Sequence, residues 1–150
     1  MRQLVFSLLF LFGLTSTSFA AWIEIDTRSR TLTFYDDDGL VRTYPVAVPR
    51  KSLQWKGTHT VTRKTEWPSW TPSKKMLKRD PSLPRHMPGG PDNPLGARAL
   101  YLGDTLYRIH GNNDPESIGR AVSSGCIRMR NDDVIELYNM VPIGTVVTVY

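Results

Sequence analysis

The chain has 150 residues, 40% hydrophobic and 22% charged, with a net charge of +5 and one cysteine. A single cysteine excludes an internal disulfide, so packing alone must hold the fold. The basic excess is modest and not gathered into a stripe, which argues against a nucleic-acid binder and leaves attraction to an anionic envelope polymer as the plainer use of the charge.

The first element is a leader. Arg2 gives a positive start, Leu4 to Leu14 is apolar except for Ser7 and Gly13, and Ser18 and Ala20 form a small-x-small site. This is the pattern of a secretory signal peptide cleaved after Ala20. The apolar run is shorter than the ~20 residues of a bilayer span, so no stable membrane anchor is expected. The expected organisation is a signal peptide over residues 1–20 and one exported domain over residues 21–150, long enough for its own core.

The domain reads mostly as β-structure. Trp22 to Asp26 and Thr31 to Tyr35 alternate apolar and polar, the period of a half-buried strand. Asp37-Asp38-Gly39 is a turn, and Val41 to Val48 returns with Pro45 marking an edge or a bulge. Thr58 to Thr62 is a further short strand. From Trp67 to Arg98 periodicity disappears and seven prolines and Gly89-Gly90 intervene. Trp67 and Trp70 argue against disorder, so this stretch is read as a loop system over a site. Ala99 to Leu102 and Thr105 to Ile109 form a hairpin about Gly103-Asp104, which puts His110 at a strand end. Asn131 is expected to cap a helix whose buried stripe is Val134, Leu137, Tyr138 and Val141. Pro142 and Gly144 end it, and Thr145 to Tyr150 is the last strand. The sum is a mainly β fold, a sandwich or barrel-like domain with one clear helix and a long capping loop.

Cys126 stands in Ser123-Ser124-Gly125-Cys126-Ile127-Arg128, downstream of His110-Gly111. A lone thiol is a packed core residue, an intermolecular linker or a chemical tool. As a nucleophile it needs a base, because a free thiol with a pKa of ~8.5 is mostly protonated at neutral pH. An imidazole in hydrogen-bond reach can take that proton and return it to a leaving amine. Gly125 permits a sharp turn before the thiol, where backbone N–H groups can face an oxyanion. On the residues alone, a buried cysteine with an ordinary strand-end histidine remains the competing explanation. His59, His86, His110 and Cys126 fit no short ligand motif, so no metal and no cofactor is expected.

The segment from His110 to Met129 resembles the signature of the L,D-transpeptidases, the YkuD-type catalytic domain: a histidine, a gap of this size, then Ser/Thr-His-Gly-Cys and an apolar residue. The likeness extends to Pro91-Asp92-Asn93-Pro94-Leu95-Gly96 before the histidine strand and to the helix from Asn131 to Pro142. It covers essentially the whole expected mature chain. The resemblance implies that Cys126 attacks the bond between a diamino acid and D-alanine in a peptidoglycan stem peptide. D-alanine leaves, and an amine acceptor, on another stem or on an envelope protein, resolves the thioester. It makes His110 the general base and acid. Arg128 binds a substrate carboxylate or orders the site, Gly125 with Cys126 supplies oxyanion contacts, and Ser124 and Gly111 complete the implied set. On residue type rather than resemblance, Trp67 joins the substrate-binding candidates as a ring that can stack on a sugar or stem peptide. Ser124 stands where many members carry histidine, which leaves it a local hydrogen-bonding role. A hydrolytic carboxypeptidase and a non-catalytic wall-binding module are the alternatives. The implied location is the periplasm, facing the wall.

Overall fold

The computed structural model describes residues 20–150. The expected leader lies outside the described residues except for Ala20. Ten strands and two α-helices follow in chain order. The first strands, β1 (Trp22–Asp26) and β2 (Thr31–Tyr35), have the expected bounds and bury Ile23, Ile25, Leu32 and Phe34 on one face. They continue to β3 (Val41–Pro45), β4 (Val48–Pro49) and the long β5 (Gly57–Glu66). After α1 (Lys74–Arg79) come β6 (Arg98–Leu102), β7 (Arg108–His110), β8 (Ala121–Ser123) and β9 (Ile127–Arg128). Helix α2 (Asn131–Met140) and β10 (Val146–Val149) close the chain.

Eight strands make one sheet in the order β3-β2-β1-β10-β5-β6-β7-β9, and β4 pairs with β8. The last strand therefore sits in the middle, parallel to β1 and antiparallel to β5. The sheet curls into a half-barrel. Its two edge strands, β3 and β9, are tied together by the segment that follows β3. Val46 N–H donates to the Arg30 carbonyl, and Ala47 exchanges two backbone hydrogen bonds with Arg128 on β9, at 2.8 and 2.9 Å. Pro45 falls at the end of the edge strand, where its missing N–H costs no ladder bond.

The core lies inside this curl. Val46, Val48, Leu100, Leu102, Ile109, Ile127 and Val147 are fully buried with the β1–β2 residues, and Val134 and Leu137 of α2 pack with them. Burying such aliphatic side chains is worth roughly 1.5–3 kcal/mol each, which supplies the stabilisation a disulfide would otherwise add.

Three expectations need correction. Strand β5 runs to Glu66 rather than ending at Thr62, because it pairs first with β10 and then, after a shift between Val61 and Arg63, with β6. Its second half is polar on both faces, so no periodicity announced it. The hairpin is not a two-residue loop: Leu102 N–H bonds the Tyr107 carbonyl, the turn spans the four residues between them, and β7 is only three residues long. The stretch from Trp67 to Arg98 contains α1, begun by Ser73, whose hydroxyl accepts from Met76 N–H. Its lysines and arginine carry too little apolar content to form a recognisable stripe.

Candidate active site

Neighbouring parallel strands gather the reactive side chains. Ile109 pairs with Ile127, and His110 with Arg128, across β7 and β9. Side chains alternate along a strand. Ile109 and Ile127 are fully buried in the core, so His110 and Arg128 share the opposite face. One residue before the isoleucines, Arg108 and Cys126 share it too. That face floors a cleft of about 520 Å³. Trp70, Lys74, Lys75, Met76 and Arg79 line it from the α1 segment, and Leu106 and Tyr107 from the β6–β7 turn.

The turn into Cys126 is tightly specified. Gly125 has φ +142°, a conformation that side chains rarely adopt, and Tyr107 lies beneath it. Trp55 stacks on Tyr107 with ring centroids 4.3 Å apart, and its indole N–H donates to the Gly125 carbonyl at 2.7 Å. The Ser123 hydroxyl donates to the Cys126 carbonyl at 2.5 Å and accepts from Gly125 N–H at 3.3 Å. In the free protein, that amide is already turned toward Ser123.

His110 is 4% exposed. A carbonyl can only accept, so the 2.5 Å contact between Nδ1 and the Gly111 oxygen places the proton on Nδ1 and leaves Nε2 unprotonated. Burial lowers the pKa of His110 to about 3; Arg128 and Arg108 push the same way, while the Gly111 and Leu95 carbonyls oppose them. Burial raises the pKa of the half-buried Cys126, against Arg108, whose guanidinium and backbone N–H favour the thiolate, and against a smaller effect of Arg128. Its Sγ lies 3.7 Å from the Leu106 carbonyl. Burial also lowers the pKa of Arg128, opposed by Asp114 and Cys126. A neutral imidazole therefore accompanies a thiol held in its protonated form.

Of the expected residues, Cys126, His110, Arg128, Gly125 and Ser124 line this one cleft. The exposed Ser124 hydroxyl accepts from Arg79 Nη2 at 2.9 Å, so the α1 segment touches the cysteine loop directly. Gly111 and Trp67 do not line the cleft. Gly111 is buried against Asn131, and a Cβ there would collide with Asn131 Oδ1. Trp67 is 45% exposed and borders a separate hollow with Asn113 and Arg130. Among the described residues, no group of three or more His, Cys, Asp or Glu gathers as a metal cage. No described helix is long and apolar enough to cross a membrane.

The model of the YkuD L,D-transpeptidase catalytic domain matches residues 20–149. The chain belongs to this family. It is 41% identical over 132 residues to a probable L,D-transpeptidase ErfK/SrfK of Escherichia coli K12, covering 82% of this chain and 42% of that protein. It is 42% identical over 126 residues to a putative L,D-transpeptidase of Fuscovulum blasticum, covering 83% and 66%. It thus spans less than two thirds of the length of each. Among solved structures, L,D-transpeptidase 3 from Mycobacterium tuberculosis superposes with a TM-score of 0.71 at 18% identity over 87% of this chain and 61% of that one. The catalytic domain of the Enterococcus faecium L,D-transpeptidase, determined acylated by ertapenem, gives 0.66 at 22% identity, covering 87% and 97%. At these identities the structural likeness speaks for the fold.

In this L,D-transpeptidase family member, several site residues escaped the sequence reading. Arg108 had a usable signal, since it stands two residues before His110 on one strand and so on the same face. Trp55 and Tyr107 had none, because they meet Gly125 only through the fold. Asn131 is not the expected cap. Arg130 holds the N-cap position of α2, and the Asn131 side chain accepts from Ala97 N–H and Asn112 N–H at 3.0 and 3.2 Å and donates to the Asn112 carbonyl at 3.0 Å. It ties the helix to the segment entering β6 and to the segment leaving the histidine strand.

Proposed function

We propose that this domain is an exported cysteine acyltransferase acting on peptidoglycan stem peptides in the periplasm. The observation that carries the reading is the placement of Cys126 and His110 on one face of adjacent strands, at the floor of a cleft lined by cations. His110 Nε2 takes the proton of Cys126 as Sγ attacks the carbonyl between the diamino acid and D-alanine. The tetrahedral intermediate collapses, the C–N bond breaks, and His110 returns the proton to the departing D-alanine nitrogen. The thioester remains on Sγ. An acceptor amine then gives a proton to His110 and attacks the thioester, and the thiolate leaves and is reprotonated. Because Cys126 rests as a thiol, its ionisation is coupled to attack rather than completed beforehand. Arg128 and Arg108 beside it favour the developing negative charge. The leader pattern of residues 1–20 supports export, and the moderate positive charge suits an anionic wall polymer.

The deciding experiment is intact mass spectrometry of the protein with a disaccharide-tetrapeptide, with and without an amine acceptor. The expected result is an acyl adduct on Cys126, release of D-alanine and an acceptor-dependent product. An adduct resolved only by water would replace transfer with carboxypeptidase action. A folded protein with no adduct would leave only a wall-binding role. Ertapenem is a second probe, since it acylates the Enterococcus faecium relative, and an unchanged mass after prolonged incubation would count against a competent thiol.

A further inference from the structure

The cleft has an unbalanced charge. Lys74, Lys75 and Arg79 line it from the α1 segment and Arg108 and Arg128 from the floor, while no Asp or Glu lines it. The ion pairs formed among the described residues, Arg42–Glu136 and Arg98–Glu66, lie elsewhere. Asp114 acts on Arg128 from outside the lining, but no carboxylate lines the cleft beside the α1 lysines. Cations gathered in a concave site repel one another, and an anionic ligand relieves that repulsion. The two groups of cations sit differently. Arg108 and Arg128 act electrostatically on Cys126 at the floor. The α1 cations line the same cleft from the helix side, and of them Arg79 reaches the cysteine loop through Ser124. They are carried on a built segment. Ser73 caps the helix, and Trp70 and Met87 exchange two backbone hydrogen bonds of 2.8 Å at its base. Arg79 is further fixed through Ser124.

We infer that this segment selects donors by charge, with Lys74 and Lys75, supported by Arg79, holding a free carboxylate that the donor keeps after its terminal residue has left. Donors with that carboxylate converted to an amide are therefore poor ligands. The inference rests on the acyl-transfer reading for its ligand but not for its test, which reads binding separately from turnover. Both lysines are exposed, so each ion pair is worth no more than about fivefold in affinity, and the pair together about tenfold.

The test uses three tetrapeptide donors: one with all carboxylates free, one amidated at the second residue and one amidated at the diamino acid. Calorimetric binding is measured to Cys126→Ala, and kcat/KM with otherwise native protein, each with and without Lys74→Gln/Lys75→Gln. One of the two amidations should lower affinity and kcat/KM about tenfold in the parent and less than about twofold in the lysine variant. Which amidation does so identifies the carboxylate. Discrimination should also shrink as salt is raised. Equal affinity for free and amidated donors, or undiminished discrimination in the lysine variant, would overturn the inference. Charge-selective binding without acylation would overturn the acyl-transfer reading and leave this one standing. A protein that binds none of the donors would overturn both.

Discussion

The ring of Tyr107 occupies the space that a side chain at Gly125 would need: a Cβ built there lies 3.0 Å from Cε1 and 3.3 Å from Cδ1. The glycine before the cysteine is required by its backbone angle, and a side chain there also needs the ring to give by a few tenths of an ångström. Gly125→Ala should strain the turn, shift the thiol and lower turnover by up to ~10²-fold, the cost of a misplacement approaching 1 Å. Acylation rates measured by mass spectrometry check this; a rate within threefold of the parent would show that the ring yields.

Trp55 is expected to be a positioning residue. Trp55→Phe keeps the stack on Tyr107 but loses the hydrogen bond to the Gly125 carbonyl, a loss of about 1 kcal/mol in stability. A urea titration reads that loss. Slower acylation alongside it, with the KM for donor unchanged, would mark an effect on the thiol rather than on binding.

Replacing the proposed reacting groups should separate their roles. Cys126→Ala should abolish acyl-enzyme formation with the fold retained, checked by mass and circular dichroism. His110→Ala should slow acylation by ~10²-fold or more, the usual contribution of a general base. A near-normal rate in that variant would point to another base.

The lowered pKa of His110, about 3, makes two claims about pH. Its imidazole is neutral down to about pH 4, so kcat/KM should not lose its base between pH 8 and pH 5. A resting thiolate–imidazolium pair would instead give an acid limb inside that window. For stability, the unfolded imidazole takes a proton below about pH 6.5 while the folded one does not. The unfolded state then binds more protons, and stability falls as pH drops from about 6.5 toward 3, by up to about 1.4 kcal/mol per pH unit. Urea midpoints at pH 7 and pH 4.5 should differ less in His110→Ala than in the parent.

Asn131→Ala removes three hydrogen bonds between α2 and the segments around His110. A loss of about 2 kcal/mol is expected, since the Ala97 and Asn112 backbone groups lose their partner. Thermal unfolding measures the loss. Unchanged stability would mean that water replaces the side chain.

The strands with one face in the core were readable in advance. Trp22 to Asp26 and Thr31 to Tyr35 alternate because one side of each meets the core and the other does not. Val134 and Leu137 of the α2 stripe were readable for the same reason at helical period, while Tyr138 is half-buried and Val141 lies just past the helix end. Where pairing rather than burial extends a strand, the signal vanished, as in the polar second half of β5. The α1 helix was invisible because it buries no residue and lies over a cleft.

The site divides along the same line. Local chemistry singled out the histidine, the lone cysteine and the glycine before it as candidates, and the family resemblance, not spacing alone, joined them into a site and added Arg128. Trp67 was associated with the site by composition, yet it faces another hollow. Local sequence determined which residues carry reactive groups and which backbone angles they tolerate. Only the tertiary structure decided that β7 and β9 lie side by side in parallel register, and that Trp55 and Tyr107 brace the cysteine turn. It also decided that the α1 cations line the same cleft as the thiol. Those contacts join segments far apart in the chain, and packing of the curled sheet, not any local preference, brings them together.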